Sequence, residues 1–560
     1  MANFILNTIR NTFFRFVFGD RMFVFGSDKN PPTAAQGEQP VSPFSTFPED
    51  ERAVLALASL REDESETQIN VFEPTIFSSE TQIHVFESTR SPSAAQSLPS
   101  DVLFVIFDVC LSSSFIQTDS DLSEAEGQPY WLVKNPPWVF THVCTHWRRA
   151  AISRRSLWTH VRINVSEFQG FDTPGQARLL EVYLARSGEL ELEVYINLMI
   201  PFVQNNVVLP ILLRHSSRFG SFSLTTFSES LPYFASIQER LDSLKSLYLD
   251  VICQSSSQIS RSPIQFFSIA PLLEVVTIQP SDNRQKFPFT THRLRKLSAP
   301  MSAISNFELL TTIGECILHV DQVGHQFFNK VMTSFTLQSL TLYEHSPVMT
   351  GRASLLLTSL LLPNLVSLAI QASDNPSIGS SIKTLLLNSK CKLRNLDIEA
   401  RGFSSNDAGE ILQLCPDLVR LRLTTPFSPF TVQQLQKNTL FLPKLETFDM
   451  TATEFKSVLY LPADLLSVCD AFRGRCFAGN TSTQTKGPVP LKEFYFASQF
   501  DVSQDVSEGL AEMVKSGVKV YVEGRLLGLE DLNVDGLAVA ITEHEGKVGD
   551  TVTTYTGKSE

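Results

Sequence analysis

The sequence predicts an α/β chain in which a short helical domain precedes an irregular solenoid of strand–helix units, a curved parallel sheet with helices outside. Three observations carry this expectation. The pattern apolar-x-x-apolar-x-apolar returns nine times between residues 219 and 496. All four tryptophans, at 131, 138, 147 and 158, fall inside residues 98–165, where apolar residues recur at helical spacing. Before that stretch, residues 27–97 are rich in Ser, Pro, Glu and Thr and read as a disordered linker.

Composition bounds the function. A chain of 560 residues has room for several domains, and 43% hydrophobic content is enough for a large core. A net charge of −13 gives no electrostatic case for nucleic acid. The eight cysteines are scattered without a CxxC, so they read as buried thiols of a reducing compartment, cytoplasmic or nuclear. Sequons at Asn164 and Asn480 carry weight only beside a secretory signal, and no run approaches a membrane-spanning length. No cofactor is expected.

Residues 1–26 are apolar and basic, with Phe16-Val17-Phe18-Gly19 returning as Phe23-Val24-Phe25-Gly26. They read as a segment folded back on the body or disordered, with a presequence or interfacial helix as the other reading. In the linker, residues 65–73 return at 79–87, a duplication too short for a repeat domain.

Residues 98–165 divide into three helical elements. Pro99 suits a first turn, and Ser100 or Asp101 complements the helix N-terminus. Val102, Leu103, Ile106, Phe107 and Cys110 follow at spacings of three or four and form a broad apolar face. A second helix from Pro137 carries Val139, Val143, Trp147 and Ala150 on one side, flanked by Arg148, Arg149, Arg154 and Arg155. A short third element holds Leu157, Trp158 and Val161. Three short helices cannot bury so much apolar surface among themselves, and the excess points to docking on a partner. His142, Cys144 and His146 are potential metal ligands, and the histidines at i, i+4 share a helix face. No second ligand cluster lies nearby, so no metal site is expected.

Leu-Pro-x-Asp-Val-Leu-x-x-Ile-Phe, then Val143-Cys144-x-x-Trp147-Arg148, then Leu157-Trp158, resembles an F-box, closest to the fungal F-box-like proteins with a polar insert between the first two helices. Here the insert spans 111–136, a departure from the compact motif. The resemblance implies docking on a Skp-family adaptor and, through it, a cullin. Leu98, Pro99, Val102, Leu103, Ile106 and Phe107 would face the adaptor, with Val143, Trp147, Leu157 and Trp158 contributing from the later elements.

Residues 166–542 read as the solenoid, with a polar tail at 543–560. "LARSG" and a following strand from Leu190 also resemble the region after the box in fungal F-box proteins, as does "RHSSRF" at 214–219. Repeat starts at 337, 365, 393, 418 and 445 are spaced like longer leucine-rich repeats that contain helices. Thr431 and Gln434 read as a capping box, and Ile382 to Leu387 as a helical run. The asparagine usual three residues after the last leucine is absent, spacing between 273 and 337 and between 445 and 491 is irregular, and 472–490 reads as an insertion. The residue between the last two apolar positions points away from the core, because strand side chains alternate. These residues, Tyr248, Thr277, Thr341, Ala369, Asp397, Arg422, Asp449 and Tyr495, would form one ladder on the concave face and bind a protein substrate.

No phosphate loop, dinucleotide fingerprint, nucleophile elbow or HExxH occurs, and the chain reads as a receptor subunit with no catalytic site of its own. The first expectation is an SCF-type ubiquitin-ligase subunit that holds a protein substrate on its solenoid. The alternative is a non-catalytic scaffold whose F-box-like helices cap the solenoid.

Overall fold

The computed structural model describes residues 98–115, 137–165, 174–198, 207–252 and, with interruptions, 265–527. The 1–26 segment, the linker and its duplication, insert residues 116–136 with Trp131, most of the 472–490 insertion and the 543–560 tail lie outside the described residues. The chain divides into two compact units, residues 1–237 and 238–560.

The first unit opens with α1 (Ser100–Phe115), α2 (Trp138–Val143) and α3 (Thr145–Ser153), then a 3-10 turn at Arg155–Trp158. It continues through β1 (His160–Val165), α4 (Pro174–Ser187), β2 (Leu192–Leu198), α5 (Val208–Leu213) and β3 (Phe219–Phe227). The strands are parallel, with Val161, Val194 and Phe222 in one row and Ile163, Ile196 and Leu224 in another, all buried.

Three sequence expectations change here. The single helix expected from Pro137 is broken at Cys144, whose φ of −162° and ψ of 173° are extended. Breaking a helix orphans carbonyls; that of Thr141 is taken up by Arg148 Nε at 2.7 Å, across the break. Second, Trp158 leads directly into β1, so Trp158-x-x-Val161-x-Ile163 is already a strand unit of the repeating pattern. Third, Leu190 precedes β2 and stays exposed.

The second unit contains β4 (Ser246–Ile252), β5 (Val275–Ile278), β6 (Lys296–Pro300), β7 (Glu315–His319), β8 (Met332–Thr333) and β9 (Ser339–Glu344). Then come α6 (Arg352–Thr358), β10 (Leu360–Leu361), β11 (Ser367–Asp374), α7 (Ile378–Ser389), β12 (Asn395–Arg401), α8 (Ser405–Gln413), β13 (Arg420–Leu423) and α9 (Pro429–Lys437). The unit closes with β14 (Thr447–Asp449), β15 (Glu493–Phe496), α10 (Gln504–Lys515), β16 (Lys519–Val522) and β17 (Arg525–Leu526). β4-β5-β6-β7-β9-β11-β12-β13-β14-β15-β16 are neighbours in that order and parallel; β17 turns back antiparallel on β16, and β8 pairs with β10 apart from them. Parallel strands added in chain order are how strand–helix units stack into a solenoid.

Register explains the core. Leu247, Val276, Leu297, Cys316, Leu340, Leu368, Leu396, Leu421, Phe448, Phe494 and Val520 lie side by side across the eleven strands, and all are buried. The irregular interval between 273 and 337 holds two further units, Leu294-Leu297-Ala299 and Ile313-Cys316-Leu318. Alanine and cysteine at apolar positions hide them, and 3-10 turns at Met301–Ala303 and Phe307–Thr311 stand between these strands. The unit at β16 is hidden because Gly517 precedes Val520 by three residues, where a leucine usually stands.

The capping box expected at Thr431 is displaced. Ser428 is the N-cap of α9, accepting from the Thr431 N–H at 3.2 Å, with Pro429 as the first helical residue. Ser404 caps α8 in the same way, at 3.1 Å from the Asp407 nitrogen. Where the usual asparagine is missing, Glu344 ties the end of β9 to the start of α6. Its buried carboxylate accepts from the Arg352 and Ala353 N–H groups at 2.9 and 3.2 Å, and from Asn375 Nδ2 at 2.9 Å. Asn375 Oδ1 in turn accepts from the Ser354 and Ser377 hydroxyls, each at 3.0 Å. A negative charge at a helix N-terminus meets orphan donors and the favourable end of the dipole.

Candidate docking surfaces

The first surface lies on α1. Leu103 and Phe107 are fully buried, and Leu111 nearly so. The Phe107 ring stacks on Phe140 with centroids 4.3 Å apart and meets Trp147 edge-on at 5.5 Å. Arg154 ties this face to α3: it pairs with Asp108 at 2.5 Å and lies 4.7 Å over the Phe104 ring. His146 Nε2 is 2.9 Å from the Leu98 carbonyl, so this histidine fastens the start of α1.

The other side of α1 is also apolar. Val102, Val105, Ile106 and Val109 recur at helical spacing about half a turn away from Leu103 and Phe107. Val105 is 63% exposed and Val102 40%, while Ile106 and Val109 are half-buried. Asp101 and Asp108 lie between the two faces. An ordinary surface helix turns one apolar side to the core and a polar side to solvent; here a second apolar side faces outward.

The expected adaptor-facing residues therefore separate. Pro99 and Val102 are exposed, and Leu98, Ile106 and Val143 are half-buried. Leu103, Phe107, Trp147, Leu157 and Trp158 are fully buried within the unit, which corrects their placement on a docking face. Trp158 explains the correction. Its ring packs edge-on against Trp138 at 5.1 Å and Tyr183 of α4 at 5.3 Å, while Nε1 donates to the Ala151 carbonyl at 2.9 Å. The Arg186 guanidinium sits 4.4 Å over Trp138 and 4.5 Å over Trp158. Among the described residues Trp138 Nε1 finds no acceptor, and ring contacts hold that side chain. Val105 and Val109 were missed, although successive steps of three and four residues from Val102 lead to them.

The break at Cys144 puts His142 and His146 on different helices, so they share no helix face. Among the described residues no group of three or more His, Cys, Asp or Glu is placed to hold a metal ion. Burial pushes the Cys415 thiol up to about 12, with the Coulombic influence of Cys391 adding to it, and raises Cys316 further. Thiols held protonated in this way are poor nucleophiles at neutral pH.

The second surface is a row across the strands of the second unit. Tyr248 pairs in register with Thr277, which pairs with Ser298; Ile317, Thr341, Ala369, Asp397, Arg422, Asp449, Tyr495 and Tyr521 continue the row. All are half-buried. The register unites every sequence-predicted member and adds Ser298, Ile317 and Tyr521, which belong to the units that the pattern hid.

Chemistry concentrates at one end of the row. Arg422 Nη1 lies 3.3 Å from Asp397, Nη2 3.6 Å from Glu399 and Nε 3.7 Å from Asp449. Burial raises the Asp397 carboxyl above the usual range; Arg422 opposes this, and Asp449 and Glu399 add to it. Beside them the Tyr495 and Tyr521 rings stack with centroids 4.5 Å apart and planes 7° from parallel. Tyr495 donates its hydroxyl to Glu493 at 3.3 Å. Tyrosine and arginine are residue types enriched where partners bind tightly.

Among the described residues no helix is long and apolar enough to cross a membrane. No family model matches the chain, and no curated protein matches it.

Proposed function

We propose that this chain is the substrate-receptor subunit of an SCF-type cullin ubiquitin ligase, working in the cytoplasm or nucleus. The helical start would dock a Skp-family adaptor, and the strand row would hold a protein substrate. Ubiquitin transfer would be aided by proximity, with no catalytic residue supplied by this chain. One observation carries the reading: α1 keeps a second apolar stripe, Val102, Val105, Ile106 and Val109, facing out after its other side is buried. That stripe lies on the helix whose Leu-Pro-x-Asp-Val-Leu sequence resembles the first helix of an F-box.

The test is co-purification of the intact chain with a Skp-family adaptor, against a Val102→Asp/Val105→Asp variant, with thermal unfolding followed in parallel. Both valines are exposed, so the variant should fold as the parent does and lose the adaptor. Failure of the intact chain to bind, or equal binding by the variant, would sink the proposal. Leu103→Asp is not a usable probe, because Leu103 is fully buried and a charge there attacks folding.

A second reading is favoured by the joint of Trp138, Trp158, Tyr183 and Arg186. In it the helices serve as a structural cap on the first strand–helix units of a scaffold. That reading predicts no adaptor binding and a marked loss of stability when Trp158 is truncated.

A further inference from the structure

We infer that a cleft where α7 and α8 hand over to β12 and β13 docks a partner-protein segment in which an apolar side chain is flanked by acidic residues. The site lies within the second unit, at the edge where its strands begin, and it stands whether or not the strand row holds a substrate.

Register builds the cleft. β12 and β13 run side by side from Asn395 and Arg420, so the turns that precede them, after α7 and after α8, are neighbours too. Leu386, Leu387, Leu393, Leu414 and Pro416 line a cavity of about 350 Å³ at these turns, at the small end of ligand sites. Leu387 is 51% exposed and Pro416 is exposed, so the apolar lining reaches the rim.

Charge decides what kind of segment fits. Lys390, Lys392 and Asp417 stand in the same wall. Lys444 donates to Asp417, and the charges of Lys392 and Arg394 act on that carboxylate as well and help to lower its pKa. The next acids, Glu410 and Glu446, are tied to cations of their own, Lys383 and Lys492. Lys390, Lys392, Arg394 and Lys444, all exposed, against Asp417 leave three positive charges. The C-terminal ends of α7 and α8 carry roughly half a negative charge each and offset about one of these. A positive excess remains, on a chain whose net charge is −13.

The spread of the cations points to a peptide. Lys390, Lys392 and Arg394 follow one another before β12, and Lys444 stands two strands on, before β14. Neighbouring strands are about 4.8 Å apart, so the cations extend over roughly 10 Å. One carboxylate cannot meet them all. Acidic residues on both sides of an apolar anchor can, with the anchor in the cleft between them.

The test uses the full chain and fluorescein-labelled peptides followed by anisotropy. Gly-Asp-Glu-Leu-Phe-Glu-Asp-Gly should bind, and more weakly at high salt. A peptide with lysine at every acidic position, or with Ser-Ser in place of Leu-Phe, should bind about tenfold more weakly or not at all. Lys390→Gln/Lys392→Gln should weaken the acidic peptide about tenfold and Leu387→Ser about fivefold. All three side chains are exposed, so both variants should unfold thermally as the parent does. Bound peptide should also slow alkylation of Cys391, which lines the cleft, and leave that of Cys144 in the first unit unchanged, as read by peptide mapping. No binding of the acidic peptide, equal binding of either control peptide, indifference of both folded variants, or unaltered alkylation of Cys391 overturns the inference.

Discussion

On α1 apolar residues occupy two sides of the helix, with Asp101 and Asp108 between them, whereas on the strands from β4 to β16 buried and half-exposed residues alternate. Both regions carry expected contact residues, and they treated the expectation differently. On the strands a period of two assigns each residue to one side or the other, and register keeps that assignment from strand to strand. On a helix with two apolar sides, the 3.6-residue period cannot say which side is the core. Leu103 and Ile106 are neighbours in the same apolar run, yet the first is fully buried and the second half-exposed. Binary periodicity resolves sides; a broad helical face needs the packing partner to do so.

The largest expected effect comes from a buried residue that the F-box resemblance placed on a docking face. Truncating Trp158→Ala should cost about 3–5 kcal/mol, as large-to-small changes in cores do. It removes the ring that Trp138, Tyr183 and Arg186 all touch. Equilibrium denaturation measures this, and a loss under 1 kcal/mol would return Trp158 to the surface. Next, Glu344→Ala should cost about 1–3 kcal/mol, because Asn375 and the first N–H groups of α6 lose their buried acceptor. Hydrogen exchange should report faster opening in α6 than in α9, whose cap Ser428 is untouched. Unaltered protection would show that the network carries no stability.

Val105→Asp should move stability by no more than about 0.5 kcal/mol, as exposed substitutions do, while removing the adaptor capture proposed for α1. A cooperative loss of the fold instead would place Val105 in the core and erase the difference between the two sides of α1.

The smallest effect concerns pH. The Asp397 carboxyl titrates above its ordinary value in the folded chain, chiefly because of burial. Folded protein then holds a proton that the unfolded chain has released, so this group makes stability fall as pH rises between its unfolded and folded pKa values. Asp417 acts oppositely: its hydrogen bond from Lys444 lowers its pKa, so its contribution is present above the unfolded value and lost as pH falls through the folded one. Stability measured against pH for the parent and for Asp397→Asn should differ by loss of the downward slope. Identical slopes would mean that Arg422 fully compensates the burial.

The sequence made the strand side of the fold legible wherever Leu, Ile, Val or Phe filled the apolar positions. It went silent where Ala299, Cys316 or Gly517 stood there, because chain register rather than residue type makes those sites part of the core. The Asp397–Arg422–Asp449 sequence of the row followed from alternation alone. The break at Cys144 was not legible, since it depends on Arg148 reaching back to the Thr141 carbonyl. The F-box resemblance put Leu103 and Phe107 on a docking face, whereas both are buried within the unit.

The row also sets a length scale. Asp397, Asp449 and Tyr521 stand on β12, β14 and β16, every second strand. Neighbouring strands are about 4.8 Å apart, so these positions repeat at about 9.6 Å. A polyproline II segment rises about 3.1 Å per residue with three residues per turn, which returns a side chain to one side every 9.3 Å or so. A fully extended strand does so at about 6.8 Å and falls out of step by the second contact. In the proposed receptor, this spacing would act as a vernier for the periodicity of a substrate laid across the row. Side chains three residues apart in a left-handed extended helix would meet the row in step, while side chains at every second residue would not.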